Sequence, residues 1–165
     1  MNYWNQKDLP HKGWSFIKVI DTREDGQTND ETDYASCNMC GNEKLRYVHI
    51  MRHPEVSNDI EVGCICAEKM SSDYINPKKN ENTLKNKANQ RTRWLQRKWK
   101  LSANGNYYME LKGNHLLVFR KKNRWSYKFN KTFSNESFLT IDEAKLALFE
   151  TFYKKRDFDL SQHKI

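Results

Sequence analysis

The sequence predicts an α+β protein of two small units joined by a basic helix. Three observations lead there. Two cysteine pairs, Cys37/Cys40 and Cys64/Cys66, bracket a strand–turn–strand pattern and run into a short helical stretch. Residues 78–100 carry an apolar stripe at helical spacing among nine Lys and Arg. After Asn104-Gly105 the period changes to two, and the pattern closes on a helix-start signature. The expected architecture is a four-cysteine unit of treble-clef or zinc-ribbon type over 1–76 and a basic connecting helix over 77–102. A three-stranded antiparallel sheet with one covering helix follows over 103–157, and then a tail over 158–165.

Length and composition suit that division. The 165 residues are 37% apolar with a mean hydropathy of −1.00, which is lean for one large core. Five Trp, eight Tyr and eight Phe offset this, because each ring buries a large area. No apolar run is long enough to span a membrane, and the chain opens without a signal peptide, so a soluble cytoplasmic protein is expected. The net charge of +8 is unevenly spread. Residues 1–75 hold eight Lys and Arg against thirteen Asp and Glu, and the remainder holds twenty-one against eight. An anionic partner for the second half follows.

Residues 1–12 show no periodicity and read as an arm that packs by Tyr3 and Trp4. Gly13 to Ile20 reads as a strand with Trp14, Phe16 and Ile20 at strand period. Residues 21–33 form an acidic loop. Its Asp21, Asp25 and Gly26 echo a calcium loop, but Arg23 and Thr32 stand where an acid or amide and a glutamate are needed, so a solvated loop is expected. Leu45 to His53 alternates as a strand that would place Leu45, Tyr47, His49, Met51 and His53 on one face. Residues 60–63 return, and Ala67 to Ile75 form a short helix stopped by Pro77.

The cysteines carry the sharpest chemical signal. Two close pairs supply four thiolates for a tetrahedral ion, and Gly41 after Cys40 permits the curl of a zinc knuckle. One Zn2+ on Cys37, Cys40, Cys64 and Cys66 is the expected cofactor. The second pair is Cys-x-Cys rather than Cys-x-x-Cys, and His49 or His53 can stand in for one cysteine. A disulfide framework needs an oxidising compartment, and no βαβ pattern surrounds Cys37 as a thioredoxin-type pair requires.

In the basic element, Leu84, Ala88, Leu95 and Trp99 form the docking stripe, leaving Lys85, Arg91, Arg93, Arg97 and Lys98 as phosphate contacts; Glu81 is the one acid among residues 78–100. In the sheet unit, Tyr107–Lys112, His115–Arg120 and Arg124–Phe129 read as strands, with a turn at Gly113-Asn114. Arg120, Lys121, Lys122, Arg124 and Lys128 crowd the second hairpin and are further nucleic-acid contacts. Thr140-Ile-Asp-Glu143 is a capping box that opens a helix with Ile141, Ala144, Leu148 and Phe152 inward.

Two resemblances accompany these residues. The strings Cys-x-x-Cys-Gly, Leu-Arg-Tyr-Val-His, His-Pro, Val-Gly-Cys-x-Cys-Ala-Glu-x-Met and Trp-Leu-x-Arg-Lys-Trp resemble a family of small, largely uncharacterised bacterial and phage zinc-binding proteins. The continuation Ser-Ala-Asn-Gly-Asn, Val-Phe-Arg and Asp-Glu-Ala-Lys-Leu-Ala is similar to the same family, so the likeness covers most of residues 37–152. It brings no activity with it, but implies that His49 and His53 belong to the motif. More loosely, residues 105–153 resemble the three-strand-plus-helix DNA-binding domains of ethylene-response factors and some phage integrases. That likeness implies that the sheet, not the helix, meets nucleic acid.

The expectation is therefore a zinc-stabilised nucleic-acid-binding protein, DNA before RNA, with binding placed ahead of catalysis. Two other classes stand beside it. One is a protein-binding adaptor or inhibitor of a phage or mobile element. The other is a His–metal nuclease with His49 or His53 as base near Asn58 and Asp59, although residues 67–80 lack the histidine such a helix carries. A zinc deaminase is disfavoured, its H-x-E and P-C-x-x-C signatures being missing.

Overall fold

The structure, a computed structural model, describes residues 2–24 and 27–162. It is α+β, with two antiparallel sheets and three α-helices among the described residues. The chain divides into two compact units, Met1–Lys87 and Ala88–Ile165. The boundary falls inside the basic helix, so the expected linker is shared between the units. No helix among the described residues is long and apolar enough to cross a membrane.

In the first unit, β1 (Ser15–Asp21), β2 (Tyr47–Arg52) and β3 (Ile60–Val62) form one sheet in that order. Strand β2 is central, and Val48, His49, Ile50 and Met51 are all buried. It therefore packs on both faces, not only on the alternating face read from the sequence. Strand β1 is an edge. Trp14, just before it, is buried at 3%, whereas Phe16 and Ile20 are exposed, and a register shift between Phe16 and Lys18 breaks the expected alternation.

Helix α1 (Cys64–Ser71) starts directly after β3, giving the order knuckle, hairpin, helix of a treble clef. It buries Cys66, Ala67 and Met70 against Met39, Met51 and Val62. The N-terminal arm makes a 3-10 turn at Tyr3–Asn5 and packs Tyr3 and Trp4 on this core, as its aromatics suggest. In the acidic loop, Asp21 accepts both nitrogens of a fork from Arg46, each at 2.9 Å, while Arg23 donates to Thr32 at 2.8 Å. Asp25 and Gly26 lie outside the described residues. Helix α2 (Asn76–Trp94) opens with Asp73 Oδ1 accepting from the amides of Ile75 and Asn76, at 3.0 and 2.9 Å.

In the second unit, β4 (Lys100–Leu101), β5 (Tyr107–Leu111), β6 (Asn114–Lys121), β7 (Arg124–Phe129) and β8 (Thr132–Phe133) form a five-stranded meander. The three expected strands are its centre, and two-residue strands flank them. The first hairpin turns at Lys112-Gly113, not Gly113-Asn114. Leu111 faces Asn114, and both turn residues have positive φ, +49° and +73°, as a type I′ turn demands. Helix α3 (Ile141–Gln162) covers one face, burying Ala144, Leu148, Phe149 and Phe152 against Leu116, Val118, Tyr127 and Phe129. It extends into the segment read as a tail, of which residues 163–165 are outside the described residues.

The capping box forms as read. Glu143 N donates to Thr140 Oγ1 at 3.2 Å, and Thr140 N donates to Glu143 Oε2 at 3.1 Å. The apolar stripe of the basic helix is corrected. Because α2 ends at Trp94, Leu95 and Trp99 lie beyond it, and Trp94 (1% exposed) is the buried anchor in the core of the second unit.

Candidate metal centre and basic sheet face

The knuckle is held by backbone. Gly41, at φ +75°, donates its amide to Cys37 O at 2.8 Å, and Cys37 N donates to Asn42 O at 2.7 Å. From β3, Gly63 N donates to Cys37 Sγ at 3.5 Å. These contacts bring Cys37, Cys40 and Cys66 together, with their sulfurs all within 4.8 Å of one another. Tetrahedral thiolates on zinc stand about 3.8 Å apart, so a small contraction fits three sulfurs to one ion. Cys37 and Cys66 are buried and Cys40 is exposed.

The electrostatics agree. The Cys66 thiol, followed by the amides of Cys40 and Gly63, stabilises the Cys37 thiolate against the opposing effect of burial and lowers its pKa to about 5. Cys66, as the proton-sharing partner and a buried group, is pushed up. A cation can replace that shared proton.

Cys64 lies outside this cluster, so three of the four expected cysteines stand together. Successive helical residues are turned by about 100°, which sets residues two apart on nearly opposite sides. With Cys64 and Cys66 both in the first turn of α1, they diverge. Cys64 instead clusters with His49 of β2 and Glu81 of α2, their donor atoms within 4.8 Å of one another. Its thiol is 3.7 Å from Glu68 Oε1 and is pushed up to about 12 by burial and then by Glu81 and Glu68.

His49 is fully buried and neither ring nitrogen has a hydrogen-bond partner. Leaving such a group unsatisfied costs roughly 1–3 kcal/mol. Burial holds its pKa below the ordinary value, with Glu81 partly opposing. Its Nε2 lies 3.7 Å from Glu81 Oε2. Burial pushes the Glu81 carboxyl up, but Lys85 and Lys78 outweigh this and hold it below its usual range. Lys85 Nζ sits 2.5 Å from Glu81 Oε1. Glu81 belongs to no motif in the sequence. Its signal was its position as the one acid in residues 78–100, where a solvated cationic face has no use for it.

His53 is a packing residue rather than a substitute ligand. It is buried against Trp14 with ring centroids 5.2 Å apart, and its Nδ1 accepts from Glu55 N at 3.1 Å. Asp59, the expected neighbour of a nuclease base, gives both oxygens to Arg52, at 2.7 and 2.8 Å.

The expected phosphate contacts separate into two groups. Lys85 is bound to Glu81, and Arg91 donates to Glu150 at 3.0 Å, so these two cations already have acidic partners. Arg93, Arg97 and Lys98 are exposed, with Arg97 over the Trp94 ring. Arg120 lies over Trp125, on the α3 side of the sheet by strand alternation, and Lys122 occupies a turn at φ +56°. Lys121 and Arg124 face each other in register, and Arg124 also donates to Ser137 O at 3.2 Å.

On the sheet face away from α3, one row crosses all five strands. Lys100, Tyr108, Leu117, Lys128 and Phe133 stand side by side in register. Lys100 Nζ lies 6.0 Å from the Tyr108 ring centre and Lys128 Nζ 4.8 Å from that of Phe133. Phe119 meets Phe133 edge-on at 5.7 Å, and Phe133 is 59% exposed.

Comparison of the chain with protein-family models, with curated proteins and with solved structures finds no match. What the fold and site define is an α+β protein with a cysteine cluster able to hold a metal ion.

Proposed function

We propose that the chain is a zinc-stabilised nucleic-acid-binding protein that holds its ligand on the open sheet face of the second unit. The observation that carries this reading is the row from Lys100 to Phe133, in which a cation stands beside an aromatic ring on either side of Leu117. Lys100, Lys121, Arg124 and Lys128 offer phosphate contacts, while Tyr108 and Phe133 offer surfaces on which bases or sugars pack. A sheet face that only awaited a covering element of this chain would carry fewer charges. The surplus of basic residues in the second half supports the same reading.

In this proposal, zinc on Cys37, Cys40 and Cys66 ties the knuckle to α1 and supplies stability that so small a core lacks. Its role is structural and lies in the first unit.

The test is fluorescence anisotropy of the zinc-loaded protein with duplex DNA, duplex RNA and single-stranded DNA at two salt concentrations. DNA is the expected preference over RNA. Binding should weaken as salt rises, and Phe133→Ala should weaken it by about 1–3 kcal/mol if bases stack there. No binding to any of the three would overturn the reading.

A further inference from the structure

We propose a second metal site, separate from the cysteine cluster, formed by His49, Cys64 and Glu81. The three come from three different elements, β2, α1 and α2, and converge so that one donor atom from each lies within 4.8 Å of the others. All three belong to the first unit.

Two independent features point to a ligand there. His49 is completely buried, both its nitrogens lack partners, and Nε2 is turned toward Glu81. At 3.7 Å the His49–Glu81 pair is too far apart for a hydrogen bond. It is close to the edge of a coordination tetrahedron, about 3.4 Å for zinc-bound nitrogen and oxygen. The second feature is the division of labour in the Glu81 carboxylate. Lys85 occupies Oε1, which fixes the group and leaves Oε2 for the ion. A fixed outer partner of this kind is what a ligating carboxylate uses to hold its orientation.

The donor set names the metal. One imidazole, one thiolate and one carboxylate are borderline to soft, which favours zinc or cobalt over calcium or magnesium. Three protein donors leave a fourth position. Cys64 and Glu81 line a cavity of about 560 Å³ whose wall also carries Lys44, Arg46, Lys69 and Lys78. That position is open to water or a small anion, which the lysines and arginine would favour.

The experiment titrates the metal-free 165-residue chain with Co2+ and then Zn2+, following bound equivalents and the sulfur-to-cobalt absorption. The expected result is two ions per chain, one with three thiolates and one with a single thiolate. Glu81→Ala and His49→Gln should each remove the second equivalent, or weaken it at least tenfold, and keep the first. Circular dichroism checks that each variant is folded; if His49→Gln is not, Glu81→Ala decides. One ion per chain bound by four thiolates, or two ions indifferent to Glu81→Ala, overturns the proposal. The measurement reads the first unit alone, so its outcome is independent of whether the sheet face binds nucleic acid.

Discussion

The indole Nε1 of Trp94 donates to the backbone carbonyl of Lys145 at 2.8 Å, tying the last residue of α2 to α3. Around that bond the Trp94 ring meets Phe149 edge-on at 5.1 Å and lies 5.8 Å from Phe152. The basic helix is thus anchored in the second unit by an aromatic residue.

Trp94→Ala should destabilise the second unit by about 3–5 kcal/mol, the cost of deleting a buried aromatic. Trp94→Phe keeps much of the packing and loses the hydrogen bond, and should cost distinctly less. Urea denaturation followed by circular dichroism checks the order. Equal effects would mean that the ring contributes little beyond its bond.

Gly13 and Gly113 make a controlled pair. Both have positive φ, +84° and +73°. A Cβ at Gly13 would stand 3.1 Å from His53 Nε2, whereas a Cβ at Gly113 meets nothing within 4 Å. Gly113→Ala should cost about 1 kcal/mol from backbone conformation alone. Gly13→Ala should cost more, because His53 is buried and must give way. Thermal unfolding of the two variants measures the difference.

The metal-free protein should lose stability as pH falls below about 6.5, through His49. Burial holds the folded pKa of His49 below the ordinary value against the pull of Glu81 and Glu68. The unfolded chain therefore takes up a proton that the folded chain refuses. The contribution is fully present above the unfolded pKa and is lost as pH falls toward the folded one. His49→Gln should flatten the dependence of Tm on pH between about 5 and 7, a window above most carboxylate titrations.

Replacing Lys121, Arg124 and Lys128 with glutamine should reduce the slope of log affinity against log salt by about one for each phosphate contact removed. The same change at Lys85 should leave the slope alone, because that lysine is engaged with Glu81. Anisotropy over a salt series separates the two cases.

The α+β class, the knuckle and the capping box were legible in the sequence because each is a local pattern. The Thr140–Glu143 reciprocity depends on residues three apart, and Gly41 supplies its own positive φ. The first turn was read one residue late, since glycine suits either place in a two-residue turn and only the pairing of Leu111 with Asn114 fixes it. The divergence of Cys64 from Cys66 was within reach, once the pair is seen to sit in one helical turn. The meeting of His49 with Glu81 was not. It depends on how α2 returns to β2, and nothing in the spacing of the two residues encodes that.

The five-stranded sheet is bounded on both sides by strands of only two residues, Lys100–Leu101 and Thr132–Phe133. A rim that short offers a neighbouring chain few free amides and carbonyls to extend a ladder. The aromatic face can therefore stay open to a ligand without inviting copies of the protein to add strand by strand into a fibre.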